Sequence, residues 1–553
     1  MSQSVSRLLV DSLEAHDIDL IYCVPGESYL GMTNALADNN RMRLVVCRHE
    51  GGAAFMAAAD GRMRGGRAGV LVVSRGPGLS NAMIGLHTAF HDATPMVVFI
   101  GQVERFEAGR MALQEQNYSR LLSDVTKLVI EVNDPIQASE AVARAFHIAE
   151  SGTPGPVAII VPEDVFDATT EATLNRPRPQ AIAGPHPDDL SQLADMLAKA
   201  ERPLIWVGPA MRENGLEELQ QLAEQWHLPV SPTHRRPHLF DAWHDNYGGY
   251  VASRTHPDVI AEMKKSDLLV VLGERLTGTV SQNFTFPTAP EPQLPLVHVW
   301  PDPNELGRVW RPDLALACEP RAVVQALLAR GVPANAERRK PWVQGLNKIH
   351  RSLMEPEWQQ TTDGVNFSAV VCEIAKHMTD DTTVTSDAGN FSSFVQRYLP
   401  MKPGQMFLSS VVGAMGAGLP MAVAACLRRP GSRVIAFAGD GGALMTGNEI
   451  ATACQYRVAP IFVISDNHCY GTITMHHDIR YPGRPYQAAT QLTNPDFAVW
   501  ASAFGAKGFT ITDESQVAGT IAEAFAVTDR PVVIHCHTSL EQISAWRRRN
   551  LLR

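Results

Sequence analysis

The sequence predicts an α/β protein with three doubly wound domains, each built on a parallel sheet wrapped by helices. Short, continuous apolar runs such as Val70–Val73 and Leu268–Leu272 alternate with helix-length segments, which is typical of parallel strands buried on both faces. This alternation recurs in three stretches of the chain. The length agrees, because 553 residues exceed what a single hydrophobic core holds.

Proline-rich and charged segments separate the three stretches. Polar residues with three prolines before residue 186 indicate a linker, and the charged run Glu337–Lys340 indicates a second, solvent-exposed connection. We therefore predict a first domain, a central domain, a third domain and a tail, over 1–165, 186–332, 355–537 and 538–553. The tail carries Trp546-Arg547-Arg548-Arg549 and could cover an active site or simply be exposed.

The composition favours small-molecule partners. There are 48 basic against 58 acidic side chains, for a net charge of −10, and no long basic run, so neither nucleic acid nor a membrane surface is expected as a partner. The eight cysteines form no C-x-x-C pair, and the N-terminus lacks the pattern of a signal peptide. These observations predict a soluble, cytoplasmic protein.

The strongest chemical signal is the turn Gly439–Gly442. It follows a predicted strand over Val434–Ala438 and precedes a predicted helix over 443–456, and a second predicted strand ends just before Asn467. In a right-handed βαβ unit these strands are parallel, so the side chains of Asp440 and Asn467 lie at one edge of the sheet. Carboxylate and amide oxygens suit Mg²⁺, and the free amides of a helix start favour phosphate. The pattern predicts a magnesium-diphosphate clamp.

The segment Gly439–Thr472 resembles the thiamine diphosphate motif of the acetolactate synthase and pyruvate decarboxylase superfamily. The resemblance implies that the first domain binds the cofactor pyrimidine and the third its diphosphate. It implies three Mg²⁺ ligands, namely the side chains of Asp440 and Asn467 and the Cys469 carbonyl. It further implies that thiamine diphosphate contacts the rest of the motif, represented by Gly439, Gly441, Gly442, Ala443, Tyr470, Gly471 and Thr472.

A second motif, Arg48–Ala54, lies far earlier in the chain and resembles the R-H-E-x-G-A-A motif of the same superfamily, in which the Glu hydrogen-bonds the pyrimidine N1′. An apolar pocket would raise the pKa of Glu50 so that it can hold this proton near neutral pH. A Glu that merely interacts with the helix dipole is the plain alternative, but the clamp favours catalysis. In the superfamily these two motifs belong to different subunits, which implies a homodimer or homotetramer with active sites at subunit interfaces.

Shorter segments carry the same resemblance. Ser409–Pro420 is similar to the segment where a large apolar residue, here Met415, wedges the cofactor into a bent form and a carbonyl, here that of Gly413, accepts from its 4′-amino group. Two further loops resemble cofactor-contacting loops of the superfamily. The resemblance implies contacts from Gly389 and Asn390 in the third domain and from Pro25 and Gly26 in the first.

Within the superfamily the chain is most similar to the acetolactate synthase-like group, through Gly76-Pro77-Gly78, Gly101-Gln102-Val103 and Ala112–Glu115. Such enzymes decarboxylate a 2-oxo acid such as pyruvate and join the carbanion-enamine to a second carbonyl compound. Gln114, near the thiazolium by resemblance, is a catalytic candidate. His91 is another, although a lone His is more often structural.

Departures from the group leave the substrate open. His476-His477 lies where a substrate-selecting Trp is usual and could bind a carboxylate or form an exposed helix turn, and Leu113 replaces a usual Phe. Gly273–Gly278 replaces the arginine- and aspartate-rich loop linked to flavin, which argues against FAD. Two alternatives to an acetolactate synthase-like carboligase follow: a simple 2-oxo acid decarboxylase that releases an aldehyde, and a non-catalytic cofactor-binding protein.

Overall fold

The computed structural model describes residues 2–253, 255–484 and 487–549. Three parallel sheets alternate with helices along the chain, which confirms the predicted α/β class. No helix among these residues is long and apolar enough to cross a membrane.

The first domain has a six-stranded parallel sheet and a small antiparallel pair. Its strands are β1 (Gln3–Ser4), β2 (Leu20–Cys23), β3 (Arg43–Val46), β4 (Gly69–Val73), β5 (Met96–Gln102), β6 (Leu128–Glu131), β7 (Pro156–Pro162) and β8 (Thr169–Thr170). Its helices are α1 (Val5–Ala15), α2 (Leu30–Ala37), α3 (Glu50–Met63), α4 (Gly76–His91), α5 (Tyr118–Leu121), α6 (Ala138–Glu150) and α7 (Glu163–Asp167). The sheet order is β3-β2-β4-β5-β7-β6, and β8 pairs with β1, so regular structure continues past residue 165.

The central domain has a five-stranded parallel sheet. Its elements are α8 (Pro187–Lys199), β9 (Pro203–Val207), α9 (Leu216–Trp226), β10 (Val230–Pro232), α10 (Pro257–Met263), β11 (Leu268–Leu272), β12 (Leu296–Val299), β13 (Leu314–Leu316), α11 (Pro320–Arg330) and α12 (Lys340–Met354). The strand order is β10-β9-β11-β12-β13.

The third domain repeats the plan of the first. Its strands are β14 (Thr383–Ser386), β15 (Met406–Ser409), β16 (Val434–Gly439), β17 (Ile461–Asp466), β18 (Lys507–Ile511) and β19 (Val532–His537). Its helices are α13 (Phe367–Ala375), α14 (Ser392–Tyr398), α15 (Gly418–Arg428), α16 (Asp440–Thr446), α17 (Glu449–Tyr456), α18 (Gly471–Arg480), α19 (Phe497–Ala503) and α20 (Val517–Ala526). The order β15-β14-β16-β17-β19-β18 puts β16 beside β17, in parallel.

Three of the four residues in the charged run Glu337–Lys340 are exposed, as the sequence predicts, and Arg339 is the exception. Arg339 is fully buried, and its guanidinium donates to the carbonyls of Trp226 (2.9 Å), Ala200 (3.2 Å) and Leu197. These three carbonyls lie at or near helix ends of the central domain, where they have no partner within the helix. The connection is therefore part of the central domain, with Arg339 holding α12 to it.

Helix α3 joins the first domain to the third. It packs on α4 and on α15, and alanines on its faces belong to a core cluster that contains residues of both domains, including Ala54, Ala58, Ala422 and Ala425. Small side chains let helices approach closely, and a Cβ at Gly85 would lie 2.3 Å from that of Ala54. The position of Glu50, the first residue of α3, is therefore fixed by packing on both domains.

Candidate functional site

The predicted clamp residues converge at the carboxyl ends of β16 and β17. Asp440 is the first residue of α16 and only 4% exposed. Its Oδ2 accepts a hydrogen bond from the Cys469 amide at 3.1 Å, and Asn467 Oδ1 accepts from the same amide at 3.1 Å. The side chains of Asp440 and Asn467 thus present oxygens to one small region, as a shared metal ion requires.

The predicted helix over 443–456 begins earlier and is divided. It begins at Asp440, so the glycines form its first turn, and it breaks at Gly447 between α16 and α17. A Cβ at Gly441 would lie 2.5 Å from the Tyr470 ring, and one at Gly447 would lie 2.2 Å from the Trp500 ring. Neighbouring aromatic rings therefore require glycine at both positions, and glycine has a low helix propensity.

Burial makes the Asp440 carboxylate a fitting cation ligand. Burial raises its pKa to about 7, a hydrogen bond from Asn494 Nδ2 (2.8 Å) opposes this rise, and the charge of Asp466 adds to it. An ionised carboxylate in such surroundings is costly without a positive partner. A divalent cation held between Asp440 and Asn467 would supply that partner, so the residues present fit Mg²⁺.

Asp466 and Asn494 extend the clamp, and sequence reasoning missed both. Asn494 Nδ2 bridges Asp440 Oδ2 and Asp466 Oδ1, each at 2.8 Å. Burial acts to raise the pKa of Asp466, but hydrogen bonds, led by one from His535 Nε2 at 2.9 Å, hold it below its usual range. Asp466 directly precedes Asn467 at the end of β17, which is the signal that could have identified it.

A cavity of ≈ 930 Å³ opens above the clamp. Thirteen of the predicted cofactor-binding residues line it, namely Gly389, Asn390, Gly413, Met415, Gly439, Asp440, Gly441, Gly442, Asn467, Cys469, Tyr470, Gly471 and Thr472. Ala443 does not line it and is fully buried beneath. Gly413 has φ +70°, a conformation that glycine adopts without strain. The cavity joins four segments of the third domain that are far apart in the sequence.

Asp387 fixes the loops of this cavity. It is fully buried and accepts hydrogen bonds from the backbone amides of Ala388 (2.8 Å), Gly416 (2.8 Å) and Ala417 (3.3 Å). Burial raises its pKa to about 6 although these amides oppose the rise. A Cβ at Gly442 would lie 2.1 Å from its Oδ2. Asp387 therefore positions the Met415 loop against the glycine turn.

The residues predicted to bind the pyrimidine lie elsewhere in the chain. Glu50 is half-buried, and its Oε2 accepts from Asn81 Nδ2 at 2.9 Å. Pro25 and Gly26 follow β2 at the same sheet edge. None of these residues, as described, lines the cavity above the clamp. The two predicted halves of the site are thus both present but separate within one chain.

The catalytic candidates Gln114 and His91 also lie outside that cavity. Gln114 is exposed with φ +64°, and its carbonyl accepts from the Gly76 amide at 3.1 Å, which ties its loop to the start of α4. His91 is exposed at the end of α4, with its ring 4.5 Å from that of His87. Burial, and then the charge of His87, lower its pKa. His476 and His477 lie on α18, away from the cavity lining.

The part of the tail that the structure describes, residues 538–549, borders the cavity. Ser539, Gln542 and Ile543 contribute to its lining. Arg549 Nε lies 2.7 Å from Asp478 Oδ2 on α18, and the Trp546 ring packs 4.9 Å from that of His256 in the central domain. The described part of the tail is therefore partly buried between two domains, although Arg547 is exposed, and it borders the predicted site.

In Gly273–Gly278, the loop that replaces the flavin-linked segment, both charged side chains interact with other residues of the central domain. Glu274 accepts from the Thr233 hydroxyl, and burial raises its pKa to about 7. Arg275 Nη2 lies 3.1 Å from Glu305 Oε1. The Arg275 guanidinium is thus paired with a carboxylate of the central domain.

Comparisons with known proteins agree with this architecture. Three family models match successive parts of the chain: the N-terminal TPP binding domain of thiamine pyrophosphate enzymes over 3–121, their central domain over 190–327 and their C-terminal TPP binding domain over 387–536. These matches, one to each of the three sheets, define a thiamine pyrophosphate enzyme.

Curated relatives narrow this class. An acetolactate synthase large subunit of Parasynechococcus marenigrum is 30% identical, with 97% of this chain and 87% of the relative covered. An acetolactate synthase of Mycobacterium leprae is 30% identical over 96% and 86%, and a probable large subunit of Methanocaldococcus jannaschii is 29% identical over 94% and 89%. The chain belongs to the acetolactate synthase-like group of the thiamine pyrophosphate-dependent enzymes.

Proposed function

We propose that the cavity above the clamp holds the diphosphate of thiamine diphosphate with Mg²⁺. The observation that carries the proposal is the buried Asp440 carboxylate, its pKa raised by burial, beside Asn467 at the carboxyl ends of two parallel strands. Asp440, Asn467 and the Cys469 carbonyl would hold the metal. The backbone amides that begin α16 would bind the phosphate, because a helix N-terminus favours an anion.

Residues of this chain would orient the remaining cofactor and set its protonation. The Glu50 carboxyl would hydrogen-bond the pyrimidine N1′, with Asn81 holding its other oxygen. Met415 would support the bent cofactor, and the Gly413 carbonyl would accept from the 4′-amino group. Gln114 and His91 remain candidates for groups near the reacting carbon. When bound, thiamine diphosphate supplies the electron sink for decarboxylation and for transfer of the acyl unit.

The reaction we propose is decarboxylation of a pyruvate-like 2-oxo acid followed by ligation to a second carbonyl compound. The similarity to acetolactate synthases supports carboligation. Incubation of the holoenzyme with pyruvate and a panel of 2-oxo acids, with product analysis, tests this. Acetolactate-type products support ligation, release of aldehyde supports the decarboxylase, and no turnover supports a non-catalytic binding protein.

We further propose that two copies complete each site, in a homodimer or a homotetramer. Apolar side chains are exposed around both half-sites: Met111 (95%) and Leu113 (72%) beside Gln114, and Ile473 (56%) at the clamp cavity. Large exposed apolar groups mark interaction surfaces. Pairing these surfaces would bring Glu50 of one copy to Asp440 of the other. The free cysteines, mostly buried, support a cytoplasmic location.

A further inference from the structure

A second cavity adjoins the cofactor cavity on the side of the central domain. It spans ≈ 1420 Å³ between the loop after β10, the start of α14 and the tail. Gly389, Asn390 and Thr472 line both cavities, so a molecule bound above the clamp can extend into the second one. Arg235 is the buried cation in its wall, and we name it the arginine chamber.

The arginine chamber is electrostatically one-sided. Two arginines, Arg235 and Arg547, line it together with His234 and His256, and among the residues the structure describes no Asp or Glu contributes to the lining. Walls of one charge sign that surround a partly desolvated cavity concentrate ions of the opposite sign. The chamber is therefore suited to an anion.

Arg235 carries the strongest signal. It is 5% exposed, and its Nε and Nη1 are buried with no hydrogen-bond partner among the described residues. Its main chain is fixed, because its amide donates to the Tyr250 hydroxyl at 2.7 Å and its carbonyl accepts from Arg236 Nη1 at 2.9 Å. Burial lowers the pKa of Arg235, as expected for a desolvated cation. A buried, unpaired charge is costly, so an anionic ligand would stabilise it.

Asp387 and Asp92 are the carboxylates whose charges act on Arg235, but both are hydrogen-bonded to other groups. Asp387 accepts from three backbone amides, two of them in the Met415 loop. Asp92 Oδ1 accepts from the Val411 amide at 2.8 Å, and its Oδ2 lies 4.0 Å from Arg62 Nη1. His234 Nδ1 is likewise buried without a partner among the described residues. Burial, and then the charge of Arg235, hold its pKa well below the usual value, so neutral His234 can offer one hydrogen bond beside the guanidinium.

We propose that the 2-oxo acid substrate carries a second carboxylate, remote from the reacting carbonyl, and that Arg235 binds it in the arginine chamber. This inference rests on the proposed decarboxylation. The carboxylate next to the 2-oxo group leaves as carbon dioxide. A fixed cation farther away would therefore bind a second carboxylate that stays on the substrate. A guanidinium matches a carboxylate in a bidentate pair, which gives both affinity and orientation.

The test compares acids of equal length with and without the second charge. The holoenzyme is assayed for carbon dioxide release from 2-oxoglutarate against 2-oxopentanoate, and from 2-oxoadipate against 2-oxohexanoate. We expect at least one dicarboxylate to have a kcat/KM about tenfold to a hundredfold higher than its uncharged partner, the usual value of a charge-assisted pair. Arg235→Met should bring the ratio of the two kcat/KM values to about one, and Arg235→Lys should lower it.

The control is Arg339→Lys, a change at another buried arginine of the same domain whose guanidinium binds backbone carbonyls. It should leave the ratio unchanged even if it lowers stability. Titration of glutarate, an inert dicarboxylate, into holoenzyme by calorimetry gives a readout without turnover. Glutarate binding that Arg235→Lys weakens about tenfold or more supports the anion site.

The outcomes separate this inference from the proposed function. If no 2-oxo acid, including pyruvate, is decarboxylated, the proposed function fails, while Arg235-dependent glutarate binding still supports the anion site. If monocarboxylic acids are turned over and neither dicarboxylate exceeds its uncharged partner, the inference is overturned. It is also overturned if FAD displaces glutarate and Arg235→Met loses flavin, because the chamber then serves a cofactor phosphate.

Discussion

The carboxylate of Glu449 accepts a hydrogen bond from the backbone amide of His49, the residue directly before Glu50. The distance is 3.1 Å, and the Arg48 amide donates to the same carboxylate at 3.0 Å. Glu449 begins α17 of the third domain, so a residue of the diphosphate-side domain holds the N-terminus of α3. In the proposed dimer each chain contributes Glu50 to one site and its third domain to the other. Glu449 therefore links the two sites, because it lies in the third domain and holds the segment that ends at Glu50 of the same chain.

Glu449→Ala should destabilise the protein and weaken catalysis. Glu449 is fully buried, and its loss leaves two backbone amides without an acceptor, which costs about 3 kcal/mol. The melting temperature should fall by several degrees, and turnover should fall because α3 is no longer held at its first turn. Glu449→Gln, which keeps an acceptor oxygen, should lose less. Glu523→Ala, an exposed change in the same domain, serves as control; equal effects from both alanine variants would contradict the capping role.

Asp440→Ala should weaken magnesium-dependent binding of thiamine diphosphate by about a hundredfold or more, because it removes the charged ligand of a three-ligand site. The measurement is calorimetric titration of the cofactor at fixed magnesium. Asp529→Ala alters an exposed acid of the same domain and should bind normally. Normal holoenzyme formation by Asp440→Ala at ordinary magnesium would show that the clamp is misassigned.

Glu50→Gln should retain cofactor binding and lose most turnover. The amide can still hydrogen-bond Asn81 but cannot supply the acidic proton, and general acid–base groups contribute about 10²–10⁴-fold to rates. Exchange of the cofactor C2 proton with deuterated water, followed by NMR, measures the affected step directly. Exchange and turnover within a factor of two of the wild type would remove Glu50 from this role.

Glu274 should make stability depend on pH. Its pKa is raised by burial to about 7 from an unfolded value of about 4.5, so between these values the folded state holds a proton that the unfolded state has lost. Stability therefore falls as pH rises through this window, by about 3 kcal/mol in total. Glu274→Gln removes the titration, so the melting temperature of the wild type relative to the variant should fall between pH 5 and pH 8. A constant difference across that range would exclude this account.

The sequence predicts what lies at the ends of strands and cannot predict what folding brings to them. Asp440 and Asn467 could be identified because a βαβ unit puts both at one sheet edge from local order alone. Asn494, which bridges Asp440 and Asp466, comes from a separate loop and carries no local pattern. The same holds for Arg339, whose burial depends on carbonyls more than a hundred positions away. Charge runs predict solvent exposure only when no distant acceptor competes.

Substrate recognition shows a similar limit. Arg235 and Arg236 are adjacent in the sequence and belong to no motif identified there, yet both are buried. Only the packing of the central domain on the start of α14 and on the tail creates the chamber in which an unpaired guanidinium becomes informative. The sequence could thus predict the cofactor, whose motif is local, but not the chemistry of the substrate's far end.

Mixed subunits test whether Glu50 and Asp440 act in one site across an interface. Glu50→Gln and Asp440→Ala are each expected to be inactive, since each chain has one damaged half-site. In a mixed dimer with two-fold symmetry, one of the two sites combines intact Glu50 from one chain with intact Asp440 from the other. Random pairing at equal expression should therefore restore about a quarter of wild-type activity.

The two variants are co-expressed with different affinity tags, and dimers that carry both tags are isolated by sequential purification. Such dimers should show about half of wild-type activity, because one of their two sites is intact. The matched control mixes Glu50→Gln with Asn467→Ala, a second clamp variant that should complement in the same way, whereas Asp440→Ala mixed with Asn467→Ala should not. If every mixture stays inactive although mixed dimers form, Glu50 and Asp440 serve the same site within one chain, and the tail and α3 would have to move to bring them together.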